Sequence, residues 1–176
     1  MELPTITYEQ LLSFNLCWAK SKNGKRRLQY YNRKLGGKAN ALDILRLRRV
    51  SADDRIWVVL REELIPAKTL HEFACWCAEE ALKSVDGPDQ RSVAAVEVKR
   101  QWLRGEITGE ELVLARDDAR DAAWDAPDAA WGAARAAMWA AARDARAAAW
   151  GAARAAAWDA LDAAAQIQQL IKMLED

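Results

Sequence analysis

The stretch WGAARAAMWAAARDARAAAWGAARAAAW, residues 131–158, decides the fold. It lies within a file of thirteen positions: Arg116, Arg120, Trp124, Asp128, Trp131, Arg135, Trp139, Arg143, Arg146, Trp150, Arg154, Trp158 and Asp162. The file steps by four residues with an occasional three, close to the helical repeat, so its side chains share one slowly drifting helix face. Every member is Trp, Arg or Asp, whereas 26 of the 47 residues from 119 to 165 are Ala. Two local repeats reinforce the pattern: WGAARAAMW (131–139) returns as WGAARAAAW (150–158), and AAWDAPDAA (122–130) as AAWDALDAA (156–164). Rings alternate with guanidinium groups along an alanine helix. That pattern announces a helical interaction surface more clearly than any catalytic site.

Outward from this stretch the whole chain reads as helix, with no persuasive period-2 strand. Helices are expected over 8–19, 28–35, 41–50, 52–64, 66–85 and 89–104, followed by the long C-terminal region. Lys20 to Arg27 reads as a basic connection with an Asn23-Gly24 turn, and Gly36-Gly37 as a stop. Ser51 with Asp54 resembles a capping box and Thr108 with Glu111 is one, while Gly105 fits a helix C-terminus. Pro127 forces a kink or restart. An unbroken helix from there to Leu174 would span about 70 Å, so a further bend is expected near Asp144 or Gly151. The fold class is all-α: one helical bundle of about six to eight helices over residues 1–176. It comprises a basic part (1–50), central helices (51–107) and an Ala-rich repeat region (108–176).

At 176 residues the chain can form one real core. Alanine buries little area, so the nine Trp residues must supply much of it. No run of apolar residues is long enough to span a bilayer and no secretory leader is evident. With three cysteines, an odd number, reduced thiols and a cytoplasmic setting are expected. The net charge of zero conceals a division: residues 1–50 carry +8 and residues 51–176 carry −8. The basic segment suggests a nucleic-acid or nucleotide surface, with Lys25, Arg26, Arg27, Arg33 and Lys34 for phosphates and Tyr30 for a base.

His71, Cys75 and Cys77 form the one cluster resembling a metal site or a Cys–His nucleophile. His71 and Cys75 lie one helical turn apart, but a structural zinc needs further ligands and only Cys17 could add one. A nucleophile would need an orienting group and an oxyanion hole that the sequence does not offer. Neither a metal, a cofactor nor a catalytic set is therefore expected. The tail has two readings. In one, the rings pack on the N-terminal helices and the Arg stems reach Asp121, Asp125, Asp144 and Asp159. In the other, Trp131, Arg135, Trp139, Trp150, Arg154 and Trp158 bind a partner, since Trp and Arg concentrate at interface hot spots.

FACWCAEEAL (73–82), PDQRS (88–92), AVEVKRQWLRGEIT (95–108) and the Ala-rich tail together resemble a bacterial family of immunity proteins of polymorphic toxin systems. The resemblance covers about the C-terminal 60% of the chain. Relatives often carry His in the tail where this chain has Trp and Arg. The resemblance implies a protein-binding inhibitor, not an enzyme, that neutralises a toxin by occlusion. A phage-encoded inhibitor of a host defence component would use the same physics. Nucleic-acid or nucleotide binding through the basic segment is the second expectation, and no membrane is expected to be a partner.

Overall fold

The computed structural model describes residues 3–14, 16, 20–159 and 161–176. It is an all-α bundle with one small antiparallel sheet. The sheet pairs β1 (Thr5–Thr7) with β2 (Lys38–Asn40), in the register Thr5↔Asn40, Ile6↔Ala39 and Thr7↔Lys38. Each strand buries only its central residue, Ile6 or Ala39. One buried position leaves no alternation to read, which is why neither strand was visible in the sequence.

The strands lead straight into helices. Thr7 and Gln10 form a capping box that starts α1 (Tyr8–Ser13), and Asn40 and Asp43 form another that starts α3 (Ala41–Leu45). The first helix thus stops well short of Ala19, at Phe14; the expected continuation over 17–19 lies outside the described residues. Between these helices, α2 (Lys22–Lys34) includes the basic stretch that reads as a loop. The Ser21 hydroxyl accepts from the Gly24 amide, 3.0 Å away. Asn23-Gly24 therefore falls in the first turn, where amides lack helical partners and a side-chain cap replaces them.

The next helices are also shorter than expected. α4 (Ala52–Val59) opens on Ser51, whose hydroxyl accepts from the Asp54 amide and donates to the Asp54 carboxylate. It ends because Arg61 turns back on it. The Arg61 Nε donates to the Val58 carbonyl at 2.6 Å and Nη2 to the Trp57 carbonyl at 3.1 Å. A cation on the last carbonyls satisfies them and suits the negative end of the helix dipole. The guanidinium is buried, 3.7 Å from the Phe14 ring centroid and 5.0 Å from that of Trp57. Burial and the charge of Arg146 push its pKa down to about 10.

α5 (Ala67–Lys83) begins after Pro66. The turn through Gly87, at a left-handed φ of 67°, precedes α6 (Gln90–Arg104), capped by Asp89. Gly105 closes α6 with φ 75°, a conformation that costs glycine little. Thr108 and Glu111 form the predicted capping box of α7 (Gly109–Asp125). Ala126-Pro127 breaks the chain, and α8 (Asp128–Ala140), α9 (Ala145–Asp159) and α10 (Ala163–Glu175) follow.

The C-terminal region is therefore four helices, bringing the described total to ten where six to eight were expected. The decisive break lies at 141–144. The Asp144 carboxylate accepts from the Ala147 amide at 2.6 Å and its carbonyl from the Ala148 amide, so Asp144 restarts the helix. Gly151 stays helical.

α8 and α9 run antiparallel and lie on α5. Their buried faces are nearly all alanine: Ala133, Ala136, Ala137 and Ala140 on α8, Ala148, Ala149, Ala152, Ala153 and Ala156 on α9. α5 packs on both helices and contributes Phe73, Ala74, Cys77, Ala78 and Ala81 to the same buried cluster. Small side chains let helix axes approach closely, so alanine builds this core through proximity. α10 folds back with Ile167 and Leu170 buried, and Glu175 pairs with Arg46. Among the described residues, no helix is long and apolar enough to cross a membrane.

Candidate functional site

The break at Asp144 folds the Trp/Arg file back upon itself. All six residues expected to bind a partner line one groove of about 470 Å³ between α8 and α9. Trp131 at the start of α8 meets Trp158 at the end of α9, ring centroids 5.9 Å apart at an interplanar angle of 86°. Edge-to-face geometry of this kind is favoured by the ring quadrupoles. At the other end, Trp139 of α8 lies over Gly151 of α9. A Cβ on Gly151 would come within 2.4 Å of the Trp139 ring. Glycine there is a space requirement, since the indole occupies the volume of a side chain. Ala147, Gly151 and Ala155 form the floor.

The rings thus pack chiefly on the facing helix of their own hairpin. Trp139 and Trp150 are half-buried against the core, whereas Trp131 and Trp158 remain 37% and 67% exposed. The Arg135 guanidinium sits 4.5 Å from the Trp131 ring centroid. Arg154 is exposed on the same rim.

Neither Arg135 nor Arg154 meets a carboxylate among the described residues. The acids that the sequence offered are used elsewhere: Asp125 pairs with Arg91 at 2.9 Å, Asp121 lies 3.9 Å from Arg120, and Asp144 caps α9. The Asp159 side chain lies outside the described residues. The result is a groove lined by Trp rings and small residues, with two guanidinium groups that meet no carboxylate among the described residues. The sequence reading placed Trp124 of α7 in the file but not among the partner-binding residues. At 82% it is the most exposed large hydrophobic residue described, and it stands outside the groove.

The His71 cluster is buried, His71 itself included. The His71 ring meets the edge of Trp102 at 5.3 Å. Lys99, fully buried, places Nζ 4.1 Å from the Trp102 centroid and donates to the Ala142 carbonyl at 2.6 Å. That bond ties α6 to the turn of the α8–α9 hairpin. Burial pushes the Lys99 pKa down to about 8. Burial and the Lys99 charge together hold His71 at about 4, and its Nδ1 has no hydrogen-bond partner among the described residues.

Burial raises the Cys75 thiol to about 11 and that of Cys77 well above its ordinary value. A thiolate nucleophile needs the opposite shift. Among the described residues no three His, Cys, Asp or Glu side chains are grouped to hold a metal ion; Cys17, the fourth candidate, lies outside them. Lys99 escaped the sequence reading, although Ala95, Lys99 and Trp102 fall at helical spacing and mark it as facing inward.

The basic residues of the N-terminal part are spread around α2. Lys25, Arg26, Arg27, Tyr30, Arg33 and Lys34 are all exposed, with Tyr30 50% accessible. Tyr30 and Lys34 line a second pocket with residues 46–49, which helical spacing alone does not join to them. No family model, no curated protein and no solved structure matches this chain.

Proposed function

We propose that this protein is a non-enzymatic inhibitor that binds and neutralises a protein target through the α8–α9 groove. The single observation that carries the reading is the convergence of Trp131, Arg135, Trp139, Trp150, Arg154 and Trp158 on one open groove whose two guanidinium groups lack carboxylate partners among the described residues. Trp and Arg are the residues that dominate interface energetics, above all when desolvated by a partner.

The chemistry of the groove specifies the partner's side: an apolar or aromatic side chain inserted between the rings, flanked by carboxylates that pair with Arg135 and Arg154. Bidentate Arg–carboxylate pairing fixes orientation as well as supplying energy. Inhibition is by occlusion, with the hairpin covering an acidic active or docking surface. A toxin whose immunity factor this is, or a host defence component countered by a phage product, both satisfy that chemistry, and the resemblance of residues 73–123 favours the first.

Photo-crosslinking tests the reading. Benzoylphenylalanine in place of Trp158 should crosslink one acidic protein in host cells, and the same probe in place of the exposed Glu97 on α6 should not. That protein should be harmful when expressed alone and harmless when this chain is supplied with it. Equal crosslinking from both positions, or a captured protein whose activity this chain leaves intact, would remove the groove as the binding site.

A further inference from the structure

The pocket beside α2 has a chemistry that the α8–α9 groove does not use. Tyr30, Tyr31, Lys34, Arg46, Arg48 and Arg49 enclose about 280 Å³ at the surface. They come from two segments: the last turns of α2 and the turn after α3. The Arg27 Nη1 donates to the Arg49 carbonyl at 3.4 Å and joins the two. On the helix lattice Tyr30 lies three or four residues from Arg26, Arg27, Arg33 and Lys34, so four cations surround one ring. Tyr31 is buried and meets Tyr30 edge-on, centroids 5.4 Å apart, which supports the exposed ring from beneath.

Arg46 pairs with Glu175. Lys34, Arg48 and Arg49 meet no carboxylate among the described residues. A cleft lined by charge of one sign concentrates counter-ions. An aromatic face amid cations is how single strands are held without regard to sequence.

We propose that this pocket binds a nucleotide unit, with its phosphates on Lys34, Arg48 and Arg49 and its base stacked on Tyr30. The unit is either a free nucleotide or one residue of a single strand. The site is independent of the groove, at the other end of the molecule's sequence and on different helices.

Fluorescence anisotropy of a labelled oligothymidylate, with adenosine monophosphate as competitor, tests this in the full-length protein. Saturable binding should appear near 50 mM salt and weaken steeply toward 200 mM. The Arg48→Ala, Arg49→Ala double variant should flatten the salt slope by about 0.7 for each phosphate it no longer neutralises. Tyr30→Ala should weaken binding about 5- to 150-fold, as loss of one stacked base does, while Tyr30→Phe retains the ring and the affinity. Displacement by the mononucleotide identifies the free nucleotide as the ligand, and displacement by oligonucleotide alone identifies the strand. The Arg135→Ala, Arg154→Ala variant should bind as wild type, which separates this site from the groove. Absence of binding at low salt, equal affinity in Tyr30→Ala and wild type, or equal displacement by polyglutamate of matched charge would overturn the assignment; the last would make the ligand an acidic peptide.

Discussion

Replacing Trp139 by alanine should destabilise the protein by about 3–5 kcal/mol, the range for truncating a packed aromatic. At this chain length that lowers the melting temperature by roughly 6–20 °C. The Trp139 ring fills the space over Gly151 and packs on the core, so its removal leaves a void between the helices that carry the groove. Trp158→Ala provides the contrast. That ring is two-thirds exposed and is supported by the edge of Trp131, so its loss should shift the melting temperature by only a few degrees. Thermal unfolding followed by circular dichroism separates the two. Equal losses from both substitutions would mean that the rings form a single structural stack with no binding rim.

Acidification should weaken the fold by about 3 kcal/mol between pH 6.5 and pH 4 through His71 alone, since a tenfold difference in proton affinity between folded and unfolded chain is worth about 1.4 kcal/mol. The imidazole is held neutral at about 4 in the folded protein, against 6.5 when exposed. Below 6.5 the unfolded chain gains a proton that the folded chain refuses, so stability falls with pH until the folded form also protonates near 4. Lys99 acts in the alkaline range with the same sign. Its folded pKa of about 8 lies below the ordinary 10.5, so stability rises as pH climbs from about 8 to 10.5. His71 is the only histidine, so its ring protons report the titration directly by nuclear magnetic resonance. Lys99→Met should move that midpoint upward by removing the neighbouring charge, and His71→Leu should flatten the urea-unfolding profile between pH 6.5 and 4. A His71 midpoint near 6.5 in the wild type would contradict the buried cluster.

The groove's membership was legible because helical spacing is a local property. Four-residue steps with an occasional three force the Trp and Arg side chains of 131–158 onto one side, whatever the tertiary structure. The fold-back that turns one file into two facing walls was only half legible. Residues 141–144, Ala-Ala-Arg-Asp, contain no glycine or proline, and Asp144 is the single break signal. What closes the turn is the Lys99 ammonium on the Ala142 carbonyl, a contact 43 residues apart that no local pattern encodes. The short helices around Leu45 and Val59 end at arginine side chains nearer in sequence, the first where the Arg55 guanidinium donates to the Leu45 carbonyl. Arg61 terminates α4 by reaching back to two carbonyls, and propensity alone would have continued the helix to Leu64. The basic pocket follows suit: spacing revealed the cations around Tyr30, while Arg48 and Arg49 reach it only through packing.

In the proposed function Arg135 and Arg154 are interface groups, and their one intramolecular ring contact among the described residues is that of Arg135 on Trp131, worth little at an exposed rim. Both belong to the groove, and neither holds a carboxylate among the described residues. The most direct measurement is the affinity of an Arg135→Ala, Arg154→Ala double variant for the protein captured through position 158, alongside its melting temperature. Two hot-spot arginines contribute on the order of 2 kcal/mol each, so affinity should fall about a thousandfold and neutralisation should be lost, with the melting temperature nearly unchanged. Wild-type affinity and full neutralisation in the double variant would contradict the binding role and leave the Trp/Arg hairpin as architecture alone.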